Sequence, residues 1–370
     1  MNNSIFQETE KNRSELLIYW NKPLFGNETK PQHDLSNIVD YGNNNVFVQY
    51  TDAQINFGIV SYISFAIFGV IGNLISIIAL SKSKRLRNAT TAFVINLCVS
   101  DLLLCSFSLP FSSVTFIERG WNYGDTLCTL LPMVRYSNGA VSIFSVVSIT
   151  LNRYVLVAHP RQYSKLYKPR YIALMIITIW ITSIIFLIPP LFEAWGKYDY
   201  DPTVGTCSII KVNGKSPKTF LYLFAFGLMS VVFILCYIRI FWVVHRASKK
   251  IQNELQMSSS TATISSFSPK LYRLRNFHRH SGVHLDRSFW KRDNKELRVL
   301  KVMLVIFITF LICFLPVSIV KIFRDEDEIS ILNLVGYLGV YFSSIINPVI
   351  YVVTSREYRK AYIELFCKRK

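Results

Sequence analysis

The sequence predicts an all-α fold, a seven-transmembrane helix bundle with a short amphipathic eighth helix on the inner membrane surface. Three observations lead to it: an apolar composition, seven long apolar runs, and the sign of the charges between them. Of the 370 residues, 51% are hydrophobic and 17% are charged, whereas about a quarter of the residues of a soluble domain are charged. A high share of hydrophobic residues with few charges is typical of a chain whose helices lie in lipid.

Seven stretches are long enough to cross the hydrocarbon core, which takes about 20 residues of helix. Backbone groups in lipid must be hydrogen-bonded within their own segment, so we expect these stretches to be helical. The third is amphipathic, and its Arg135, Asn138 and Ser142 must face protein or water. The predicted spans run approximately over residues 57–81, 91–115, 126–157, 170–192, 217–244, 297–323 and 330–353.

The charges between the runs predict how the bundle is oriented. The net charge is +18, and Lys and Arg collect in the first, third and fifth connections and in the tail, whereas the sixth connection holds the acidic run 325–328. Lys and Arg remain on the cytoplasmic side of membrane proteins. We therefore expect a multi-pass protein of the plasma membrane with an extracellular N-terminus. A basic chain can also bind nucleic acid, but the apolar bulk argues against that partner and favours membrane lipids.

The organisation follows from these boundaries. Residues 1–56 are expected to form an extracellular tail, 57–353 the bundle, with a flexible cytoplasmic loop at about 245–296, and 354–370 an amphipathic helix with a cytoplasmic tail. The N-terminal tail lacks the basic-then-apolar pattern of a cleaved signal peptide. Its Asn-x-Ser/Thr sequons predict glycosylation at Asn2, Asn12 and Asn27.

The residues after the seventh run predict a helix that lies on the membrane. Tyr358, Tyr362, Leu365 and Phe366 fall on one face at helical spacing, and the opposite face is charged. Cys367 follows directly and is a candidate for palmitoylation, although an unmodified thiol fits the sequence equally well.

Several polar or ring residues lie inside the runs, at depths where lipid would reject an unsatisfied polar group. In order along the chain they are Asn73, Asp101, the run Asn152-Arg153-Tyr154, Trp180, Phe310, Phe314, Pro316 and the run Asn347-Pro348-Val349-Ile350-Tyr351. Taken together, with each motif on its own span, they resemble the rhodopsin-like (class A) G-protein-coupled receptors.

Three positions depart from the pattern of that family. Asn152 stands where an acid usually precedes the Arg, Phe314 replaces the Trp of the sixth helix, and Met229 replaces the Pro of the fifth. These departures resemble the invertebrate moody and trapped-in-endoderm group of orphan receptors.

The resemblance implies a receptor and not an enzyme, with a heterotrimeric G protein as partner and possible roles for arrestin and a receptor kinase. It implies a disulfide between Cys128 and Cys207. It implies that the sixth helix moves outward on activation and that Arg153 then contacts the G protein. The residues it assigns to this switch are Asn152, Arg153, Tyr154, Tyr237, Phe310, Phe314, Pro316, Asn347, Pro348 and Tyr351.

Glu296 lies 20 residues before Pro316 in the sequence, at the cytoplasmic start of the sixth run. We hypothesise that it pairs with Arg153 in the resting state, with a solvated loop residue as the alternative.

Asp101 lies in the middle of the predicted bundle. A lone buried carboxylate is costly unless it is protonated or holds a cation. The resemblance implies an allosteric sodium ion, the only cofactor we expect, and the alternative is a water network without an ion. The expected sodium ligands are Asp101, Asn138, Ser142, Ser343, Ser344 and Asn347.

Arg135, Lys321 and Phe314 are the residues that we expect to bind the ligand. Arg135 lies seven residues after Cys128, and Lys321 lies five after Pro316. Two cations beside an outward cavity favour an anionic group on a small molecule or lipid. Alternatively, Arg135 pairs with Glu193 or another loop acid, and peptide ligands also stay compatible with the sequence.

Three rival classes find less support. A channel or transporter needs a polar stripe or repeated broken spans, and the runs contain neither. A retinal protein needs a Schiff-base lysine in the seventh run, and residues 330–353 contain no lysine. A membrane enzyme needs a nucleophile or metal cluster, and the sequence has no such motif.

Overall fold

The computed structural model describes residues 50–264, 304–321 and 330–367, all within one unit, residues 44–370. Within these residues, seven helices are long and apolar enough to cross a membrane, which confirms the predicted fold class. The sixth span is described over a shorter range than predicted. In chain order the spans are Asp52–Lys82, Ala89–Glu118, Asp125–Ala158, Pro169–Phe192, Lys218–Val243, Leu304–Lys321 and Ile331–Thr354.

Two spans change their helical pitch where prolines occur. The second consists of an α-helix, Ala89–Leu103, a π-helical turn, Leu104–Ser108, and an α-helix, Leu109–Glu118. The π turn ends two residues before Pro110, whose ring nitrogen cannot donate a backbone hydrogen bond. In the fourth span the α-helix Pro169–Ile185 is followed by a 3-10 turn, Pro189–Phe192, which begins with two prolines.

The fifth helix extends further than the sequence suggested. It runs from Lys218 to Ile264, so the expectation of a flexible loop from residue 245 is wrong for residues 245–264. The stretch after Val243 includes Arg246, Lys249, Lys250, Gln252, Glu254 and Gln256, which favour helix without being apolar. Hydropathy detects where lipid ends and does not detect where the helix ends.

A β-hairpin lies over the outer end of the third span. Strand β1, Lys197–Asp201, pairs antiparallel with strand β2, Thr206–Ile210. A disulfide joins Cys207 on β2 to Cys128 on the third helix, with their Cα atoms 5.2 Å apart. The disulfide expected between these residues is therefore present.

The C-terminal helix, Arg356–Phe366, begins at the Ser355 cap, whose hydroxyl accepts a hydrogen bond from the backbone N–H of Tyr358. Tyr358 is buried and packs edge-on against Tyr351 of the seventh span, Ser330–Thr354. Tyr362 is hydrogen-bonded to Ser76 of the first span, 2.5 Å away. The predicted eighth helix is thus present and is attached to two spans.

The sixth and seventh spans approach each other closely at a glycine. A Cβ atom added to Gly339 would lie 2.8 Å from the carbonyl oxygen of Cys313, a backbone atom that cannot move independently. In contrast, a Cβ added to Gly139 of the third span would meet nothing within 4 Å. The sequence alone does not distinguish these two helical glycines.

We expect Gly339→Ala to lower the free energy of unfolding by about 1–3 kcal/mol, because the added methyl forces the two helices apart. Gly139→Ala is the matched control and should be neutral or stabilising by up to about 1 kcal/mol, since alanine favours helix. Thermal unfolding of the purified protein, followed by tryptophan fluorescence, measures both. Equal Tm values for the two variants would contradict the close approach of the sixth and seventh spans at Gly339.

Candidate functional site

A cavity lies between the third, fourth, fifth, sixth and seventh spans. Its lining is predominantly apolar, as in most sites for small molecules. Arg135 and Phe314, both predicted to bind the ligand, contribute to its walls. The aromatic residues of the walls are Tyr136, Phe144, Phe186, Tyr222, Phe224, Phe314, Tyr337 and Tyr341.

The guanidinium of Arg135 is buried in the upper wall of this cavity. It donates to the carbonyl oxygen of Cys207 at 3.3 Å and to the hydroxyls of Ser112 and Thr206 at 3.1 and 3.3 Å. No carboxylate of the described residues lies within 4.0 Å of it, and Glu193 is exposed and not paired with it. The alternative of an Arg135–Glu193 pair is therefore wrong.

The sequence predicts that Lys321 binds the ligand, but its side chain does not line the cavity. It is buried, with its ammonium 5.9 Å from the ring centroid of Tyr337, and it acts electrostatically on Asp201 of β1. Spacing from Pro316 identified its depth correctly, but the sequence could not reveal that the hairpin inserts an acid at that level.

Asp201 forms a buried ion pair with the first residue of the fifth span. The ammonium of Lys218 lies 2.7 Å from its carboxylate, and the side chains are 1% and 8% exposed. The Thr203 hydroxyl donates to the same carboxylate at 2.6 Å. Burial raises the pKa of Asp201, but Lys218, Thr203 and Lys321 outweigh it and hold the pKa below its usual range.

Next to the cavity, two phenylalanines of the sixth span extend toward the centre of the bundle. Phe314 lines the cavity, and its ring stacks on that of Phe310 with centroids 5.3 Å apart. Phe310 is 1% exposed. The ring of Phe314 in the cavity wall is therefore in direct contact with a ring at the centre of the bundle. Pro316 lies between this stack and the outer end of the span.

Asp101 lies at the centre of the bundle and is fully buried. Its carboxylate accepts hydrogen bonds from Ser142 at 3.2 Å and from the amide of Asn347 at 2.9 Å, and Ser344 also interacts with it. Asn138 precedes Ser142 by one helical turn, on the same face of the third span. Ser343 donates instead to the carbonyl oxygen of Val340 at 2.7 Å, which leaves its hydroxyl oxygen able to accept.

Near the C-terminal end of the third span, Asn152 is oriented away from its neighbour Arg153. Its amide oxygen accepts from Thr90 of the second span at 2.6 Å, and its amide nitrogen donates to Tyr163 at 3.4 Å. Tyr163 belongs to the short helix Pro160–Leu166. Asn152 therefore connects three elements, a role that the sequence did not suggest.

Arg153 lies close enough to Tyr358, at the start of the C-terminal helix, to act on it electrostatically. Tyr154 lies on the outside of the bundle, where its hydroxyl is 3.2 Å from the Nε2 atom of His159. The three residues of the Asn-Arg-Tyr motif thus have three separate environments.

The remaining switch residues lie in the fifth and seventh spans. Tyr237 stacks on Phe233, with ring centroids 4.1 Å apart, and Phe233 stacks on Phe307 of the sixth span at 3.5 Å. Tyr351 is fully buried. Pro348 lies inside the seventh helix and packs against Gly72 of the first span.

Several predicted residues lie outside the described part of the chain. They are Glu296 and the sequon residues Asn2, Asn12 and Asn27. Cys367 is described and is exposed at the end of the C-terminal helix.

Sequence reasoning missed most of the cavity wall and one polar network. Asn96 donates to Ser145 at 2.8 Å and accepts from the indole N–H of Trp180 at 2.9 Å, which joins the second, third and fourth spans. Asn96 is a polar residue inside an apolar run and could have been found by that signal. The aromatic residues of the cavity could not, because they resemble the lipid-facing residues around them.

The comparisons with known proteins agree with the arrangement described above. Residues 72–351 match the family described as 7 transmembrane receptor (rhodopsin family). The crystal structure of squid rhodopsin superposes with a TM-score of 0.68 at 24% identity, covering 86% of this chain and 87% of that one.

Two fruit-fly proteins are similar in sequence. Protein trapped in endoderm-1 of Drosophila melanogaster is 38% identical over 324 residues, which cover 87% of this chain and 80% of that protein. The G-protein coupled receptor moody of the same species is 34% identical over 351 residues, 86% of this chain. The chain spans about half the length of the moody receptor, 52%. The chain therefore belongs to the rhodopsin family of seven-transmembrane receptors, G-protein-coupled receptors and not enzymes, within the group of moody and trapped in endoderm-1.

Proposed function

We propose that the receptor binds an extracellular small molecule or lipid with an anionic group in this cavity and activates heterotrimeric G proteins by outward movement of the sixth span. The observation that carries the ligand class is Arg135, a buried guanidinium in an otherwise apolar wall. Its hydrogen-bond partners are neutral oxygens. A planar fork of donors without a nearby carboxylate among the described residues suits a carboxylate or phosphate.

The proposed movement begins at Phe314. A molecule that binds to Arg135 contacts the cavity wall at this ring and shifts it against Phe310. Pro316, which cannot donate a backbone hydrogen bond, provides a weak point in the helix at the same level. Outward movement of the cytoplasmic half would separate Phe307 from Phe233, whose rings are stacked in the described conformation.

At the cytoplasmic end, Arg153 is the residue that we assign to the G protein. The separation of the sixth span from the fifth would expose it, and Tyr237 and Tyr351 would approach it. Arrestin and a receptor kinase would use the same face. Pairing of Arg153 with Glu296 in the resting state stays a prediction, as do glycosylation, palmitoylation of Cys367 and an extracellular N-terminus in the plasma membrane.

The surroundings of Asp101 suit a sodium ion. The carboxylate accepts only neutral donors among the described residues, and the amide oxygen of Asn347 is buried without a hydrogen-bond partner there. Asp101, Ser142, Ser343, Ser344 and the side-chain oxygens of Asn138 and Asn347 would hold the ion. A bound sodium ion would supply a positive charge that compensates the buried carboxylate.

The function is tested by G-protein dissociation in cells, with a panel of fatty acids, lysophospholipids and acidic metabolites. We expect Arg153→Ala to abolish the response to any active compound. Arg135→Gln should raise the half-maximal concentration by roughly 10- to 100-fold, the worth of a charge-assisted hydrogen bond. The control is Arg119→Gln, since Arg119 is an exposed arginine on the same side that pairs with Asp52. Equal potency in all three arginine variants would refute the proposal.

Sodium binding is tested without an agonist. The purified receptor should be more stable by about 1 kcal/mol in sodium chloride than in choline chloride of the same ionic strength, because the ion binds only the folded state. Asp101→Asn should remove this difference. If wild type and variant respond equally to sodium, the ion does not bind at Asp101.

A further inference from the structure

We propose that the ligand enters the cavity from the outer half of the bilayer, between the fourth and fifth spans, through a gate formed by Phe186 and Phe224. The chemical class of the ligand rests on the proposed function. The route is argued from contacts that the proposed function does not use.

The side of the cavity that faces the extracellular water is covered. Arg135 donates to the carbonyl oxygen of Cys207 on β2, and the hydroxyls of Tyr136 and Ser208 lie 3.1 Å apart. Ser208 is 1% exposed. The hairpin therefore rests on the third span directly above the cavity and is held there by the disulfide and by polar contacts.

The ion pair between Asp201 and Lys218 closes the adjacent corner. It joins the hairpin to the start of the fifth span with little exposure to solvent. Next to it, the Thr219 hydroxyl donates to the backbone carbonyl oxygen of Lys321 at 3.1 Å, which connects the fifth span to the sixth. A molecule that came from the water between the hairpin and the fifth span would have to break these contacts.

The side of the cavity that faces lipid is closed differently, by two rings. Phe186 of the fourth span and Phe224 of the fifth both line the cavity, and they are also 38% and 37% exposed on the outside of the bundle. Each side chain therefore contacts the cavity and the surrounding lipid at once. Their ring centroids are 5.7 Å apart and no polar contact joins them.

Behind the gate there is room for a chain. Gly139 of the third span lines the cavity, and a Cβ atom added to it would meet nothing within 4 Å. Ser183 is a buried polar residue in the same wall, where its hydroxyl donates to the carbonyl oxygen of Ile179. The passage from the gate to Gly139 is therefore apolar apart from one satisfied hydroxyl.

These features select an amphiphile that concentrates in the membrane. An acyl chain and the protonated, neutral form of its acid can pass between two phenylalanine rings at little cost, whereas a charged or strongly hydrated molecule cannot. Its acidic head group would then reach Arg135, and its chain would occupy the passage by Gly139. The route thus narrows the proposed ligand to a long-chain acidic lipid.

The test uses the full-length receptor in nanodiscs of phosphatidylcholine and three diazirine probes: palmitic acid, the matching long-chain alcohol, and hexanoic acid. Each probe is added and photolysed after increasing delays. Mass spectrometry then measures the label on the third-span peptide that contains Gly139. Label on Phe68, a first-span residue that is 66% exposed, reports the amount of probe in the bilayer.

We expect Phe186→Ala and Phe224→Ala to accelerate entry of the long-chain probes by about five- to tenfold, because the ring contact that closes the gate is lost. The rate of filling and the final amount of label are measured separately, because both rings also line the cavity and their loss alters the affinity as well as the rate. Ile185→Ala and Leu223→Ala are the controls: both residues are exposed neighbours that do not line the cavity, and both variants should fill like wild type. Phe186→Leu and Phe224→Leu should give a smaller acceleration.

Three results would overturn the route. They are equal filling rates in wild type and the alanine variants, filling by hexanoic acid as fast as by palmitic acid, and label at Phe68 without label on the third span. If the proposed function is wrong and the ligand carries no anionic group, other measurements would show it. In that case the alcohol would fill through the gate as well as the acid, and Arg135→Gln would not lower the final amount of bound acid.

Discussion

Replacing Lys218 with methionine should lower the free energy of unfolding by about 3–5 kcal/mol, which is the cost of leaving one partner of a buried ion pair without its counter-charge. Asp201 on strand β1 would then remain buried, and only Thr203 and the more distant Lys321 would stabilise its negative charge. Thermal unfolding of the purified receptor should show a Tm lower by roughly 10 °C.

A second ion pair on the same strand provides the matched control. Lys197 and Asp199 are also 2.7 Å apart, but their side chains are 36% and 44% exposed. Lys197→Met should therefore cost less than about 1 kcal/mol. The double variant Lys218→Met with Asp201→Asn should recover much of the loss, because no buried charge is left. If Lys218→Met and Lys197→Met had the same Tm, burial would not be the source of the destabilisation.

The pH dependence of this pair has a definite sign. The pKa of Asp201 is lowered in the folded receptor, so the pair stabilises the fold at every pH above the ordinary carboxyl value of about 4 and this contribution is lost as the pH falls below it. The contribution of the pair in wild type should therefore be constant between about pH 8 and 5. In Lys218→Met burial dominates and raises the pKa of Asp201, so the penalty in that variant should shrink as the pH is lowered.

The second large effect is expected at the disulfide. Its cysteines are 79 residues apart in the sequence, and a loop of that length predicts a loss of about 4–5 kcal/mol when both become serine. The hairpin also carries the carbonyl oxygen of Cys207 that accepts from Arg135. We therefore expect the Cys128→Ser, Cys207→Ser receptor to lose cell-surface expression and ligand response together.

Cys367→Ser is the control, since that thiol is exposed and far from the hairpin in sequence. It should express and unfold like wild type in detergent. Treatment of wild type with a reductant should reproduce the lower Tm of the double serine variant. A double variant with unchanged Tm would mean that the polar contacts of the hairpin suffice without the disulfide.

The sequence predicted what depends on long apolar runs and on polar residues within them. The seven spans follow from hydropathy, because lipid excludes any alternative backbone, and Asp101 and Arg135 were identified because charges are costly at those depths. Both lie in the interior as expected.

What could not be predicted depends on contacts between distant elements. Lys321 lies at the expected level, but its surroundings are set by Asp201, which is 120 residues away in the sequence and reaches it through the hairpin. Phe186 and Phe224 look like any lipid-facing phenylalanine until the two spans are placed side by side. The helix to Ile264 continues into water, where hydropathy contains no signal for it.

One consequence concerns Asn152, whose carboxamide connects Thr90 to Tyr163. A carboxamide is uncharged and offers both a donor and an acceptor, whereas a carboxylate offers only acceptors and would need a counter-charge when buried. Asn152 therefore holds the second span and the short helix after the third together without placing a charge inside the protein.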